Sequence, residues 1–216
     1  MPSPNCSATA WNATPDGSQD RVRPAVYILL AGLLAASARA AAAPAPEAAY
    51  RGADRAVLEQ VRGRFKAATE SAAVTAELIA LMDGQSPGDV AGWPAIFRAY
   101  RASLEGLVGK HSHKPWDKYV QVKAALAQFA GLVEAHPESI EIRGLRFAFY
   151  YQIPKLFDVR PLALADRAVL ADLLLRREDP TVTAAYCREM AEWILQNGDP
   201  RPAERKQLAA ALARPD

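Results

Sequence analysis

The stretch Glu138-Ser-Ile-Glu-Ile-Arg-Gly-Leu-Arg-Phe-Ala-Phe-Tyr-Tyr-Gln152 decides the fold. Its apolar residues recur at helical spacing: Ile140, Phe147 and Tyr151 share one stripe, and Ile142, Leu145 and Phe149 share the next. Together they cover well over half the helix circumference, so this helix is expected at the centre of the molecule. Arg143, Arg146 and Tyr150 fall on the remaining side at i, i+3, i+7. Arginines on a largely buried helix need partners. Internal carboxylates such as Glu105, Asp158 or Asp166 could serve, and so could an external anion.

Working outward, the flanking sequence is helical on both sides. Ala, Leu, Arg, Glu and Gln dominate, and β-branched residues never alternate over a strand length. Asp54 is a candidate cap for a helix carrying Val57, Leu58, Val61 and Phe65, continuing or restarting through Leu78 and Leu81. Asp83-Gly-Gln-Ser-Pro-Gly88 ends it. A helix entered near Asp89 or Trp93-Pro94 runs to Lys110, and the joint His111-Ser-His-Lys-Pro115 leads to one that stops at His136-Pro137. Beyond Pro154, helices are expected near 162–177 and 181–196. Asp199 and Pro200 are expected to cap and open a last helix over 201–213. The fold class is all-α: about seven helices in antiparallel hairpins, as a tetratricopeptide-like array or an irregular bundle. Ala125-x₃-Phe129 with Pro137 matches the second half of one tetratricopeptide repeat, and no full period recurs.

The N-terminal 45 residues differ. Arg21-Val-Arg23 precedes the apolar run from Ala25, which gives way to Ser37-Ala-Arg-Ala40. Positive flank, short apolar stretch and small residues before a cut are the parts of a secretory signal. The run of about 14 residues is short of the roughly 20 needed to span hydrocarbon. The domain reading is therefore a cleaved leader and signal over 1–40, a flexible Ala/Pro linker over 41–52, and a single helical domain over 53–216. Export to the periplasm or beyond follows. No cysteine directly follows the apolar run, so lipid anchoring is not indicated and no stable membrane anchor is expected after cleavage. Asn5 and Asn12 fit glycosylation patterns but precede the cut.

The whole chain of 216 residues carries 26 Lys+Arg against 24 Asp+Glu and is half hydrophobic. That composition excludes a mainly disordered chain and a strongly basic nucleic-acid binder. Cleavage after Ala40 removes three Arg and two Asp, leaving 23 basic against 22 acidic residues. Charge is nevertheless polarised: residues 98–160 hold ten basic and six acidic residues, and 162–200 hold four and seven. Cleavage also takes Cys6 and leaves Cys187 alone, expected as a small core residue.

No motif carries chemistry. His111-x-His113 lacks further metal donors nearby, and His136 sits at a helix C-terminus where the dipole favours it. Gly84-Gln-Ser86-Pro-Gly88 has the G-x-S-x-G spacing but falls in the break after an expected helix and follows no strand. Ser103, Ser112 and Ser139 have no evident His/Asp partners, and no glycine-rich phosphate loop is present. Glu138 and Glu141 form an i, i+3 pair at a helix start, again a dipole position. Neither a cofactor nor a metal is expected. Lys110, His111, Lys114 and Lys118 bring positive charge close in sequence, with Trp116 and Tyr119 interleaved. In one groove they would suit an acidic peptide or a carboxylate-bearing ligand.

The segment from Tyr100 to about Asp166 resembles a family of exported bacterial proteins with a tetratricopeptide-like helical fold and no assigned activity. The likeness rests on Tyr100-x₃-Leu104-Glu105-x-Leu107-x₂-Lys110-His111, Pro115-x₂-Lys118, Pro137-x₃-Glu141-Ile142-Arg143-x-Leu145-Arg146, Pro154-x-Leu156 and Asp166. The chain departs from it at Phe157-Asp158, where the resemblance implies a glycine. It implies fold and export, and no catalytic residue.

The expected function is thus an exported, non-enzymatic module that binds a peptide or protein partner in a groove lined by the 94–160 helices. Candidate ligand-binding residues are Arg143, Arg146, Tyr150, Lys110, His111, Lys118 and Trp116. A small-anion-binding protein using Arg143 and Arg146 is the alternative, and a hydrolase with an unrecognised site the third. A nucleic-acid partner is not expected.

Overall fold

The computed structural model describes residues 52–85 and 90–214. Gly52, read as the last linker residue, is already in the first helix. The leader and signal readings, with Cys6, Asn5 and Asn12, and the linker reading up to residue 51 lie outside the described residues. Among these, eight α-helices and two short 3₁₀ turns account for the regular structure, with no strand. The helices are α1 Gly52–Glu70, α2 Ala72–Gln85, α3 Ala95–His111, α4 Pro115–Ala135, α5 Ile140–Gln152, α6 Arg160–Arg176, α7 Ala184–Asn197 and α8 Pro202–Ala213. The fold is all-α. The count exceeds seven because the first expected helix breaks at Ser71. There the Ser71 carbonyl accepts the Thr75 hydroxyl at 3.0 Å, and that hydroxyl also reaches the Ala68 carbonyl at 2.9 Å. The chain reverses across this one residue, and Arg64 of α1 pairs with Glu77 of α2.

Local chemistry sets most of the other ends. Pro94 precedes α3, whose own last turn holds Lys110 and His111. Pro115 opens α4 and His136 ends it. The Ser139 hydroxyl accepts the Ile142 N–H, and the Asp179 carboxylate, from the α6–α7 connection, accepts the Ile140 N–H at 2.8 Å. Two orphan donors of α5 are thereby satisfied. Thr183 caps α7 by accepting the Tyr186 N–H at 3.1 Å.

The start of α8 differs from expectation. The helix begins at Pro202, two residues later than Pro200, and Arg201 occupies the cap position. The cause is Glu204, whose carboxylate accepts the Arg201 N–H at 2.8 Å and the Arg167 Nε–H at 2.7 Å. Arg167 Nη1 also donates to the Gly198 and Asp199 carbonyls at 2.9 and 2.7 Å. This buried guanidinium pins the turn, with Asp199 left-handed at φ 47°.

Successive helices pair as hairpins α1–α2, α3–α4, α5–α6 and α7–α8. Contacts between hairpins fix their direction. Phe65 of α1 meets Tyr100 of α3, and further along Lys110 meets Thr69. Tyr100 meets Glu141 of α5, while the Gly106 position faces Phe149. Gly144 faces Tyr186 and Met190 of α7, and Phe147 meets Trp193. In each case position rises along both helices, so α1, α3, α5 and α7 run parallel. Arg167 to Glu204 and Arg214 to the Leu175 and Arg176 carbonyls show α6 and α8 parallel as well. The described chain is a row of four hairpins.

Helix α5 is central, as its pattern requires. Ile140 and Phe147 are fully buried, joined in the core by Phe97 of α3, Phe129 of α4, Leu170 and Leu174 of α6 and Ile194 of α7. Each such side chain contributes about 1.5–3 kcal/mol through burial. Cys187 is buried in the same core, where burial pushes its thiol pKa up.

Candidate functional site

Besides the Arg167–Glu204 pair, two buried ionic centres tie α5 to its neighbours. In the first, Glu141 is 1% exposed and takes the Arg62 guanidinium through Nε at 2.8 Å and Nη2 at 2.5 Å. Tyr100 Oη donates to the same carboxylate at 2.7 Å. α1, α3 and α5 therefore meet on one carboxylate. Burial and then the Glu141 charge push the Tyr100 phenol well above its ordinary pKa, and the same two causes raise Tyr186. Burial opposes the charge on Arg62, but its hydrogen bond with Glu141 and that carboxylate's charge outweigh it and raise its pKa.

In the second centre, Asp166 of α6 is fully buried and receives both arginines of α5. Arg143 Nη1 donates at 2.7 Å, Arg146 Nε at 2.7 Å and Arg146 Nη2 at 2.6 Å. Arg143 also donates twice to the Pro137 carbonyl, at 3.0 and 2.5 Å. Tyr150 lies beside them, its ring centroid 5.5 Å from the Arg146 guanidinium and its hydroxyl donating to the Leu126 carbonyl at 3.1 Å. Burial pushes its pKa up to about 12. Arg143 through Nε, Nη1 and Nη2, and Arg146 through Nε and Nη2, thus donate to internal acceptors.

A concavity lies elsewhere. A cavity of about 350 Å³ opens between α1, α3, the start of α4, α5 and the turn after it. Its walls are Phe65, Leu107, Val122, Leu145, Phe149 and Phe157, with Lys110 and Lys118 as the charged residues among its lining. Two glycines of α3 bring the walls together. A side chain at Gly106 would collide with the Phe149 ring, and one at Gly109 would press on Gln121 and the Lys118 carbonyl at 3.1 and 3.3 Å. Glycine at both positions lets α4 and α5 approach α3 closely.

At the mouth, three rings stand in a row. Phe157 stacks on Tyr119, and Tyr119 on Trp116, each with centroids 5.6 Å apart and planes 23° apart. The turn carrying Phe157 is set by Asp158, left-handed at φ 52°, beside Phe157 where the family likeness implies glycine. Trp116 and Leu156 are each 71% exposed.

The expected site residues thus divide. Lys110 and Lys118 line the cavity, and Trp116 ends the ring row at its mouth. Lys110 Nζ donates to the Thr69 carbonyl at 2.6 Å, and His111 Nε2 lies 2.9 Å from the Ala68 carbonyl, so both cap the C-terminal end of α1. Arg143, Arg146 and Tyr150 sit at the Asp166 centre and do not line the cavity. α1 contributes Phe65 and Thr69, which the expected 94–160 groove leaves out, and Leu145 and Phe149, read as core by pattern, form its wall. The Gly106-x₂-Gly109 spacing was the available signal. Among the described residues, no group of three or more His, Cys, Asp or Glu is placed to hold a metal, and no helix is long and apolar enough to cross a membrane.

The chain matches no protein-family profile, no curated protein and no solved structure.

Proposed function

We propose that this chain is an exported, non-enzymatic helical interaction module that holds a peptide or protein partner in the groove between α1, α3, α4 and α5. The observation that carries the reading is the cavity of about 350 Å³, apolar-walled and continuous at its mouth with the Phe157–Tyr119–Trp116 row. Its volume falls in the usual range for ligand sites, about 300–1,000 Å³. Exposed aromatic side chains beside such a cavity are what interfaces use as anchors. Parallel running of the odd-numbered helices supports the tetratricopeptide-like likeness, as does the burial of Ala125 and Phe129. Export rests on the leader pattern alone.

The small-anion reading with Arg143 and Arg146 has weaker support, since Asp166 and the Pro137 carbonyl already occupy those guanidiniums. The test is affinity capture from the envelope fraction of the producing cells, using the protein and an Ala148→Trp variant that fills the cavity. A partner retained by the former and lost by the folded variant is expected. Identical recovery by both overturns the assignment of the groove.

A further inference from the structure

Resting on that reading of the groove, the geometry points to a partner segment of specific chemistry: an acidic peptide that seats a bulky apolar side chain in the cavity. Three features of the groove lead there.

The first is charge. The lining contains Lys110 and Lys118 and no carboxylate. Lys110 reaches only a backbone carbonyl, and among the described residues Lys118 has no acidic partner. Lys114 and Lys155 are exposed in the neighbouring joints and extend the same sign. Glu70, Glu105, Asp117 and Asp158 are the acidic residues close in sequence to Thr69, Lys110, Lys118 and Phe157, and none of them lines the cavity. Lys110 and Lys118 are exposed at the rim of the cavity, where the carboxylates of a partner would be drawn to them and a cationic segment repelled.

The second is the wall. Phe65, Leu107, Val122, Leu145, Phe149 and Phe157 present carbon to the interior, so the inserted group gains most by being apolar and large. The third is extent. The ring row continues the apolar surface beyond the cavity to Trp116, and Leu156 lies exposed next to Phe157. A single-chain amphiphile would fill the cavity and leave that row bare; a peptide can use both. Apolar anchor inside and carboxylates at the rim is the arrangement the groove complements.

Selection from a random peptide library displayed on phage tests this against the purified protein and a Lys110→Glu/Lys118→Glu variant. Circular dichroism and the melting temperature check that the variant keeps its fold. Enriched peptides should pair Leu, Phe or Trp with Asp or Glu. The double reversal should weaken a selected peptide about tenfold or more, and should itself enrich Lys- and Arg-bearing peptides. Enrichment of neutral or basic peptides by the unmodified protein, or equal affinity for both proteins, overturns the acidic assignment while leaving peptide binding in place. Enrichment of nothing, with decanoate retained in native mass spectra, overturns peptide binding itself in favour of a lipid carboxylate.

Discussion

Arg146 grips Asp166 through two hydrogen bonds, Nε to Oδ2 at 2.7 Å and Nη2 to Oδ1 at 2.6 Å, while Arg143 shares Oδ1 from one turn earlier. One fully buried carboxylate therefore engages two guanidiniums and locks α5 to α6. Replacing Asp166 by Ala leaves both arginines without a counter-ion and is expected to cost about 3–5 kcal/mol. Arg146→Leu leaves Arg143 in place and is expected to cost about 1–3 kcal/mol. Urea unfolding followed by circular dichroism measures both. An Arg146→Leu protein of unchanged stability would remove the structural role assigned to this pair.

Glu141 makes a parallel prediction on the other side of α5. Tyr100→Phe removes the 2.7 Å hydroxyl contact and is expected to destabilise by about 1–3 kcal/mol. Glu141→Gln loses the charge that Arg62 engages, but Arg62 keeps Glu59 and is 24% exposed. The double variant should cost less than the two singles together, because they share one carboxylate. Additivity in the unfolding free energies would break the link.

This much of the fold was legible in sequence, and the limits have physical causes. Periodicity placed α5 at the centre, and Asp166 stood among three carboxylates offered to its arginines. Several residues quoted for the family likeness prove to be joined: Tyr100 to Glu141, and Arg143 and Arg146 to Asp166. The Glu141 centre was read as a helix-dipole carboxylate because its partner Arg62 lies 79 positions away, a separation no local pattern encodes. The cavity was hidden for a related reason. Leu145 and Phe149 follow the same apolar period as true core residues, and only the placement of α1, α3 and α4 around them, remote in sequence, turns them into a wall.

The cavity can be narrowed. A methyl group at Gly106 collides with the Phe149 ring, whose alternative position is the cavity itself. Gly106→Ala is expected to cost about 1–3 kcal/mol from overpacking and to weaken binding of a selected peptide. Stability and affinity measured on the same sample check this. Full affinity in the variant would mean that the cavity is not where the apolar anchor sits.

Asp158 tests the turn after α5. Its φ of 52° is a conformation glycine adopts at little steric cost. Asp158→Gly is expected to change stability by less than about 1 kcal/mol, against a clear loss for Asp158→Val, whose branched side chain tolerates that conformation poorly. Thermal melts of the two variants decide it.

Alkali should act through the buried phenols. Tyr100, Tyr150 and Tyr186 have raised pKa values in the folded chain, Tyr150 up to about 12. The unfolded chain loses its phenol protons near pH 10, so it binds fewer protons than the folded chain above that pH. Their contribution is therefore full below pH about 10 and falls as pH rises towards the raised pKa of each phenol, about 12 for Tyr150. Tyrosinate absorbance for these three should rise only together with loss of helical circular dichroism. Ionisation of all phenols with helicity intact would contradict their placement.

The central claim is that the cavity between α1, α3, α4 and α5 receives the partner's apolar anchor. Photo-cross-linking tests it most directly, with a library-selected peptide carrying a photoreactive phenylalanine at its apolar position and the attachment site read by mass spectrometry. Attachment at Leu107, Val122, Phe149 or Phe157 is the predicted result. Attachment confined to α6, α7 or α8 would contradict it.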